Sequence, residues 1–163
     1  MTWSYVPLRT RRIHPGSAGT VTAVPDYGGA RPVTAQTDGD EVTVELRVAT
    51  LPAYLLAKTH AAHGRGLTKD WHDIAYVLIH NDGGGPAAAA DSVLNRFGDA
   101  IVGSTATALS ELATNFADAT CQGSLAYADT MASLHTELDI DVLAQDAVEA
   151  VGEFVRRLGV DAL

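Results

Sequence analysis

The chain has 163 residues, of which 47% are hydrophobic, 19% charged and 6% aromatic. This length suits one domain with a sizeable core, and the composition is that of a globular protein and excludes a fibrous or disordered chain. The net charge of −9 belongs to the C-terminal part, because residues 1–86 contain eight acids and eight bases whereas residues 87–163 contain twelve acids and three bases.

The charge distribution and the single cysteine, Cys121, bear on partners and location. The acidic C-terminal half does not favour contact with nucleic acid, so any such contact falls in the first half. The first half contains the aromatic residues Trp3 and Tyr5. It also contains most of the cations: Arg9, Arg11, Arg12, Arg31, Lys58, Arg65 and Lys69. No apolar run reaches the roughly 18 residues of a membrane helix, and one cysteine cannot form an internal disulfide. We expect a cytoplasmic protein with no membrane contact.

The first 48 residues have β character. Residues 1–40 are rich in Pro, Gly and Thr, and short β-branched pieces such as Gly19–Val24 favour strands or extended loops. Asp38-Gly39-Asp40 predicts a turn. After it, four apolar residues alternate with three polar ones, which predicts a strand from Val42 to Val48 that pairs with a preceding strand through the turn.

From residue 50 the periodicity is helical. Thr50 is placed to cap a helix that ends at Gly64, and Thr68 to cap a second helix, whose apolar stripe contains Trp71, Ile74, Ala75, Leu78 and Ile79. Further helices begin near Pro86, Ser104, Ser124 and Asp139 or Asp141. The prediction is an α+β fold, with a β-rich region over residues 1–48 and an α-helical domain of five to six helices over residues 49–163. Its alanine content predicts closely approaching helices.

Five charged residues surround the junction of the first two helices in the pattern K-x6-R-x3-K-D-x2-D. They are Lys58, Arg65, Lys69, Asp70 and Asp73. A tight turn between the helices brings them together, and cations held by carboxylates can bind a triphosphate. A purely structural role is the alternative, in which Asp70 caps its helix, Asp73 pairs with Lys69 or Arg65, and Lys58 lies along the surface.

The same segment resembles the L-x-x-K, R, K-D-x-x-D motif of the AbiEii/AbiGii-type nucleotidyltransferase toxins. The resemblance covers residues 42–79 in detail and the rest of the chain in outline. It implies that Lys58, Asp70 and Asp73 are catalytic and that Lys58, Arg65 and Lys69 bind the nucleotide. It also implies Mg²⁺ as cofactor of an active enzyme, which transfers a nucleoside monophosphate from a nucleoside triphosphate to an acceptor such as a tRNA end.

The metal-binding half of that family's motif is not found. Gly16-Ser17 does not precede a predicted helix, Asp26 has Gly28 two residues on, and Asp38-x-Asp40 lies in a predicted turn. Glu45, on the polar face of the strand, could take the place of a third metal-binding carboxylate. We assign no metal ligand and expect a truncated relative, weakly active or inactive alone, whose β region is a remnant of the family's sheet.

Two other functions stay open. The chain is alternatively a non-catalytic interaction domain that binds a protein partner, such as an antitoxin or a chain carrying the missing catalytic half. His60, His63 and the His72-Asp73 pair allow an HD-like metal-dependent phosphohydrolase, although the twelve residues from His60 to His72 are few for that fold. No Gly-x-Ser-x-Gly elbow or phosphate-binding loop is present.

Overall fold

A computed structural model describes residues 27–37 and 39–160. Several features of the sequence lie outside the described residues, and their predictions stay predictions: the Gly19–Val24 strand, the aromatic and basic residues Trp3, Tyr5, Arg9, Arg11 and Arg12, the Gly16-Ser17 turn, and the carboxylates Asp26 and Asp38.

The β part is an antiparallel hairpin of strands β1 (Tyr27–Thr37) and β2 (Asp40–Ala49). Thr37 pairs with Asp40 across the loop, and the register is irregular between Gly28 and Ala30. The predicted strand and its hairpin partner are confirmed. Asp40, however, is the first residue of β2 and not part of the turn, because its backbone already pairs with Thr37.

Strand β2 exposes both of its faces. The alternation in β2 is typical of a strand with one buried face, yet every residue of β2 is exposed. The apolar face is consequently open, with exposed fractions of 43–50% for its large residues Val33, Val42, Val44, Leu46 and Val48. A two-stranded hairpin has little stability of its own in water, so this face is the least supported part of the described fold.

Six α-helices follow the hairpin: α1 (Leu51–Arg65), α2 (Thr68–His80), α3 (Gly85–Phe97), α4 (Ser104–Asn115), α5 (Gln122–Leu134) and α6 (Ile140–Leu158). The α+β fold is therefore confirmed. Of the two capping candidates for α6, Asp139 is the cap, since its side chain accepts a hydrogen bond from the Asp141 backbone N–H. None of the helices in the described ranges is both long enough and apolar enough to cross a bilayer.

The junction between α1 and α2 differs from the prediction. Gly64 lies inside α1, and the helix ends at Gly66, which has φ +60° and donates its N–H to the Ala62 carbonyl at 2.7 Å. Gly66 adopts the left-handed conformation that terminates helices, whereas Gly64 only weakens the last turn. The cap of α2 is Leu67, and Thr68 is its first helical residue and not its cap.

Helix α2 lies at the centre of the helical domain, packed against α1, α3, α5 and α6. Its predicted stripe is confirmed, because Trp71, Ile74, Ala75 and Leu78 are buried and Ile79 is partly buried. Alanines fill much of the core, as expected: Ala62, Ala75, Ala89, Ala90, Ala108, Ala126, Ala128, Ala144, Ala147 and Ala150. Small residues let helix axes approach closely, so α2 is held rigidly on several sides.

The position of the break between α1 and α2 can be tested with two alanine substitutions. Gly64→Ala should stabilise the protein by about 0.5–1 kcal/mol, because alanine favours helix and a Cβ there meets nothing within 4 Å. Gly66→Ala should destabilise it by about 1 kcal/mol, because a side chain disfavours positive φ. Urea unfolding measures both, and equal effects of the two variants would contradict the observed helix end.

Candidate functional site

The ammonium group of Lys58 joins the first two helices. Lys58 lies on α1, and its Nζ donates to Asp70 Oδ1 at 3.2 Å and to Asp73 Oδ2 at 2.6 Å on α2. Asp70 and Asp73 are three residues apart and share one side of the first turns of α2. The tight connection at Gly66 brings the end of α1 against the start of α2, which makes this contact possible.

Two more cations complete the arrangement. Arg65, the last residue of α1, donates from one terminal nitrogen to both carboxylate oxygens of Asp70 at 3.0 and 2.8 Å. Lys69 donates to Asp73 Oδ2 at 2.8 Å from the preceding turn. The structure therefore brings together all five predicted site residues, and we name them the Lys58 cluster.

Burial divides the Lys58 cluster into an inner and an outer part. The side chains of Asp70, Asp73 and Lys58 are 4%, 17% and 22% exposed, whereas those of Arg65 and Lys69 are 57% and 78% exposed. The inner carboxylates orient the cations, and the outer cations keep N–H donors directed to solvent.

The ion pairs change the pKa values of the inner residues. Partial burial acts to lower the pKa of Lys58, but its hydrogen bonds to Asp73 and Asp70 outweigh this and raise it. Burial likewise acts to raise the pKa of Asp73, and the hydrogen bonds from Lys58 and Lys69 more than reverse this, so it is lowered. Both groups are charged at neutral pH, which keeps the network intact.

Tyr54 also contacts the Lys58 cluster, although it was not among the predicted site residues. Lys58 Nζ lies 5.9 Å from the centre of its ring, in the range of a cation–π contact. Burial and the nearby Asp73 carboxylate raise the pKa of the Tyr54 hydroxyl. Tyr54 precedes Lys58 by four residues on α1, so the helical spacing itself could have identified this neighbour.

The predicted structural role is met only in part. Asp73 does pair with Lys69, but the cap position of α2 is occupied by Leu67 and not by Asp70. Lys58 does not extend along the surface, since its ammonium is held between two carboxylates. The network would stabilise the helix junction in any case, and Lys69, the most exposed of its cations, should contribute least to that stabilisation.

The Lys58 cluster suits an anion better than a metal ion. Three cations face two carboxylates, which leaves one net positive charge and unused N–H donors. A phosphate chain can accept these donors, as phosphates commonly do from Arg and Lys. Mg²⁺ would have to compete with Lys58, Arg65 and Lys69 for these carboxylates, three of whose four oxygens already accept hydrogen bonds from the cations, so the cluster does not fit this ion.

The histidines of the metal hypothesis are not assembled into one site. His60 and His63 contact α4, through Thr105 and Glu111 respectively. The His72 ring instead stacks on Tyr127 of α5. Among the residues that the structure describes, no group of three or more His, Cys, Asp or Glu side chains is placed to hold a metal ion.

The hairpin carboxylates are separated from the Lys58 cluster along the chain. Asp40 begins β2, nine residues before the end of the strand at Ala49, and this distance corresponds to about 30 Å of extended chain. Glu45 lies midway, exposed and opposite Pro32. The described residues do not place either carboxylate in the candidate site.

A groove of about 670 Å³ lies elsewhere, lined by residues of α3 and the start of α1: Thr50, Pro52, Ala88, Asp91, Ser92, Asn95 and Arg96. It includes none of the residues of the Lys58 cluster. We prefer the cluster as the functional site, because there the charged side chains converge from two helices, whereas the groove is open and its Asp91 already pairs with Arg157.

Comparison with known proteins adds no second line of evidence, as no family model, curated protein or solved structure matches this chain.

The division of the Lys58 cluster into inner and outer parts predicts two different effects on stability. Asp70→Asn should lower the free energy of unfolding by about 2–3 kcal/mol, because it leaves Lys58 and Arg65 without their buried carboxylate. Lys69→Ala should change it by less than about 0.5 kcal/mol, as expected for an exposed pair. Chemical denaturation measures both, and a large loss in Lys69→Ala would show that the outer cation is structural.

The lowered pKa of Asp73 predicts how its contribution depends on pH. Its ion pairs should stabilise the fold fully above the ordinary carboxyl pKa of 3.8, and this stabilisation should disappear as the pH falls through the lower folded-state pKa. The difference in unfolding free energy between the wild type and Asp73→Asn should therefore be constant near neutral pH and shrink below about pH 4. A difference that grew on acidification would contradict the assigned ion pairs.

Proposed function

We propose that the chain is a nucleotidyltransferase-like protein of the AbiEii/AbiGii toxin class, acting in the cytoplasm, whose Lys58 cluster binds the phosphates of a nucleoside triphosphate. The observation that carries the proposal is the convergence of Lys58, Arg65 and Lys69 on two carboxylates at one helix junction. These residues are also those that carry the motif resemblance. Geometry and motif therefore support the same five positions.

In the proposed complex the inner residues position the outer ones. Asp70 fixes Arg65 and Lys58, and Asp73 fixes Lys58 and Lys69. The phosphate oxygens accept from the exposed donors of Arg65 and Lys69 and from the third N–H of Lys58. Because the carboxylates hold the cations in advance, less side-chain entropy is lost when the nucleotide binds.

Transfer of the nucleoside monophosphate requires more than phosphate binding. In the class that we propose, bound Mg²⁺ supplies charge stabilisation to the triphosphate. The Lys58 cluster does not provide its ligands, so this chain by itself should bind nucleotide and transfer it weakly or not at all. A partner that supplies the metal-binding carboxylates would restore the reaction.

The exposed hairpin favours a second candidate, a protein-interaction domain. Its apolar face, including Val44 and Leu46, is open among the described residues. A partner sheet, carried by an antitoxin or by a chain with the missing catalytic half, could cover this face. The two candidates differ in one measurable property, because an interaction domain alone has no need to bind nucleoside triphosphates.

Isothermal titration with ATP and Mg²⁺ tests the proposed nucleotide site. The wild type should bind, and Lys58→Ala and Lys69→Ala should each weaken binding by roughly tenfold or more, since each removes a charge-assisted contact with the phosphates. Arg157→Ala is the matched control, because Arg157 is also an exposed cation in an ion pair but pairs with Asp91 on α3.

Two results would overturn the proposed nucleotide site. One is the absence of binding heat at millimolar nucleotide with wild-type protein, which would favour the interaction domain. The other is an equal loss of affinity in Arg157→Ala and Lys69→Ala, which would show only a general dependence on surface charge.

A further inference from the structure

A row of rings lies along the exposed side of α2, beside the Lys58 cluster. His72, Tyr76 and His80 are spaced four residues apart and therefore follow one another on one face of the helix. The ring centroids of His72 and Tyr76 are 5.8 Å apart, and those of Tyr76 and His80 are 4.6 Å apart. We name these three side chains the α2 ridge.

Tyr127 of α5 holds the two imidazoles of the α2 ridge. The His72 ring stacks on the ring of Tyr127 at 5.8 Å and 21°, and His80 Nε2 lies 3.2 Å from the Tyr127 hydroxyl. Tyr127 is itself only 2% exposed, so it is a fixed support. Tyr76 lies between the two anchored rings and is 45% exposed, which leaves part of its surface open to a ligand.

The α2 ridge continues the Lys58 cluster along the same helix. Asp73 precedes Tyr76 by three residues, and Lys69 precedes it by seven, which places all three on one side of α2. Seven residues of α-helix span about 10 Å. This length is comparable with the separation between the outer phosphates of an extended nucleoside triphosphate and its base.

We propose that Tyr76 is the stacking platform for the nucleobase of the nucleoside triphosphate whose phosphates bind the Lys58 cluster, an inference that rests on the proposed nucleotide site. Aromatic rings stack on every base, because each base has a π face. The α2 ridge would therefore distinguish a nucleotide from a bare phosphate chain without selecting one base. The flanking imidazoles keep the Tyr76 ring in place, so little freedom is lost on stacking.

Titration with two ligands, ATP and inorganic tripolyphosphate, each with Mg²⁺, separates the two proposals. Wild-type protein should bind ATP more tightly than tripolyphosphate, because only ATP reaches Tyr76. Tyr76→Leu should weaken ATP binding roughly tenfold or more and leave tripolyphosphate binding unchanged. Tyr76→Phe should retain wild-type affinity for both ligands, since it keeps the ring. In NMR spectra the Tyr76 ring protons should shift with ATP and not with tripolyphosphate.

The possible failures are distinguishable. If tripolyphosphate and ATP bind equally well, or if Tyr76→Leu binds ATP as the wild type does, the stacking proposal is wrong and the phosphate site stands. If neither ligand binds the wild type, both proposals are wrong. If Tyr76→Leu weakens both ligands equally, the side chain supports α2 and is not a base platform.

Discussion

The hydrogen bonds from one ammonium group to two carboxylates fix the relation between the first two helices. Lys58 extends from α1 to Asp70 and Asp73 on α2, and Asp70 is almost completely buried. A buried carboxylate is costly unless cations and hydrogen bonds compensate it. The chain meets this requirement only when Gly66 ends α1 and returns the backbone at once into α2. The packing at this end of the helical domain thus depends on the electrostatics of one side-chain network.

Within the same network, burial separates the inner carboxylates from the outer cations. The inner carboxylates already accept hydrogen bonds from Lys58. They are therefore poor candidates for metal ligands, but they are well placed to orient the cations. Lys69 pairs with Asp73 from a mostly exposed position, where ion pairs contribute little to stability, whereas Arg65 compensates the buried carboxylate of Asp70. In the proposed nucleotide complex, the N–H donors of these two cations that face solvent are the ones from which phosphate oxygens accept.

The sequence predicted the helical part of the fold well, because its helices carry strong local patterns. The apolar stripe of α2 and the N-cap position of α1 at Thr50 could be identified from spacing alone, whereas spacing left Asp139 and Asp141 both open as the cap of α6. The end of α1 could not, since Gly64 and Gly66 are chemically identical and only the three-dimensional path decides which adopts positive φ. The exposure of β2 was not predicted either. The alternation of apolar and polar residues indicates that one face of the strand is apolar, but not whether another part of the protein covers that face.

For the candidate site too, the spacing of residues along the sequence identified some of the contacts and not others. The five charged residues were identified from the sequence because they follow one another around a single helix junction. Tyr54 lies on the same helix face as Lys58, but an aromatic residue in an amphipathic helix normally indicates core, so its contact with the ammonium was not expected. Tyr127 could not have been connected with His72 and His80 at all, since it is brought to them by the packing of α5 against α2.

Helix α2 carries both the residues that hold the fold together and those of the proposed site, and it carries them on opposite sides. One side is buried through Trp71, Ile74 and Leu78, which holds the helix against its neighbours. The opposite side carries first the charged residues Lys69 and Asp73 and then the ring of Tyr76. A rigid helix keeps a constant distance between charge and ring, which a loop would not. If a nucleotide binds here, its affinity depends on that distance, and therefore on the alanine-rich core against which α2 packs.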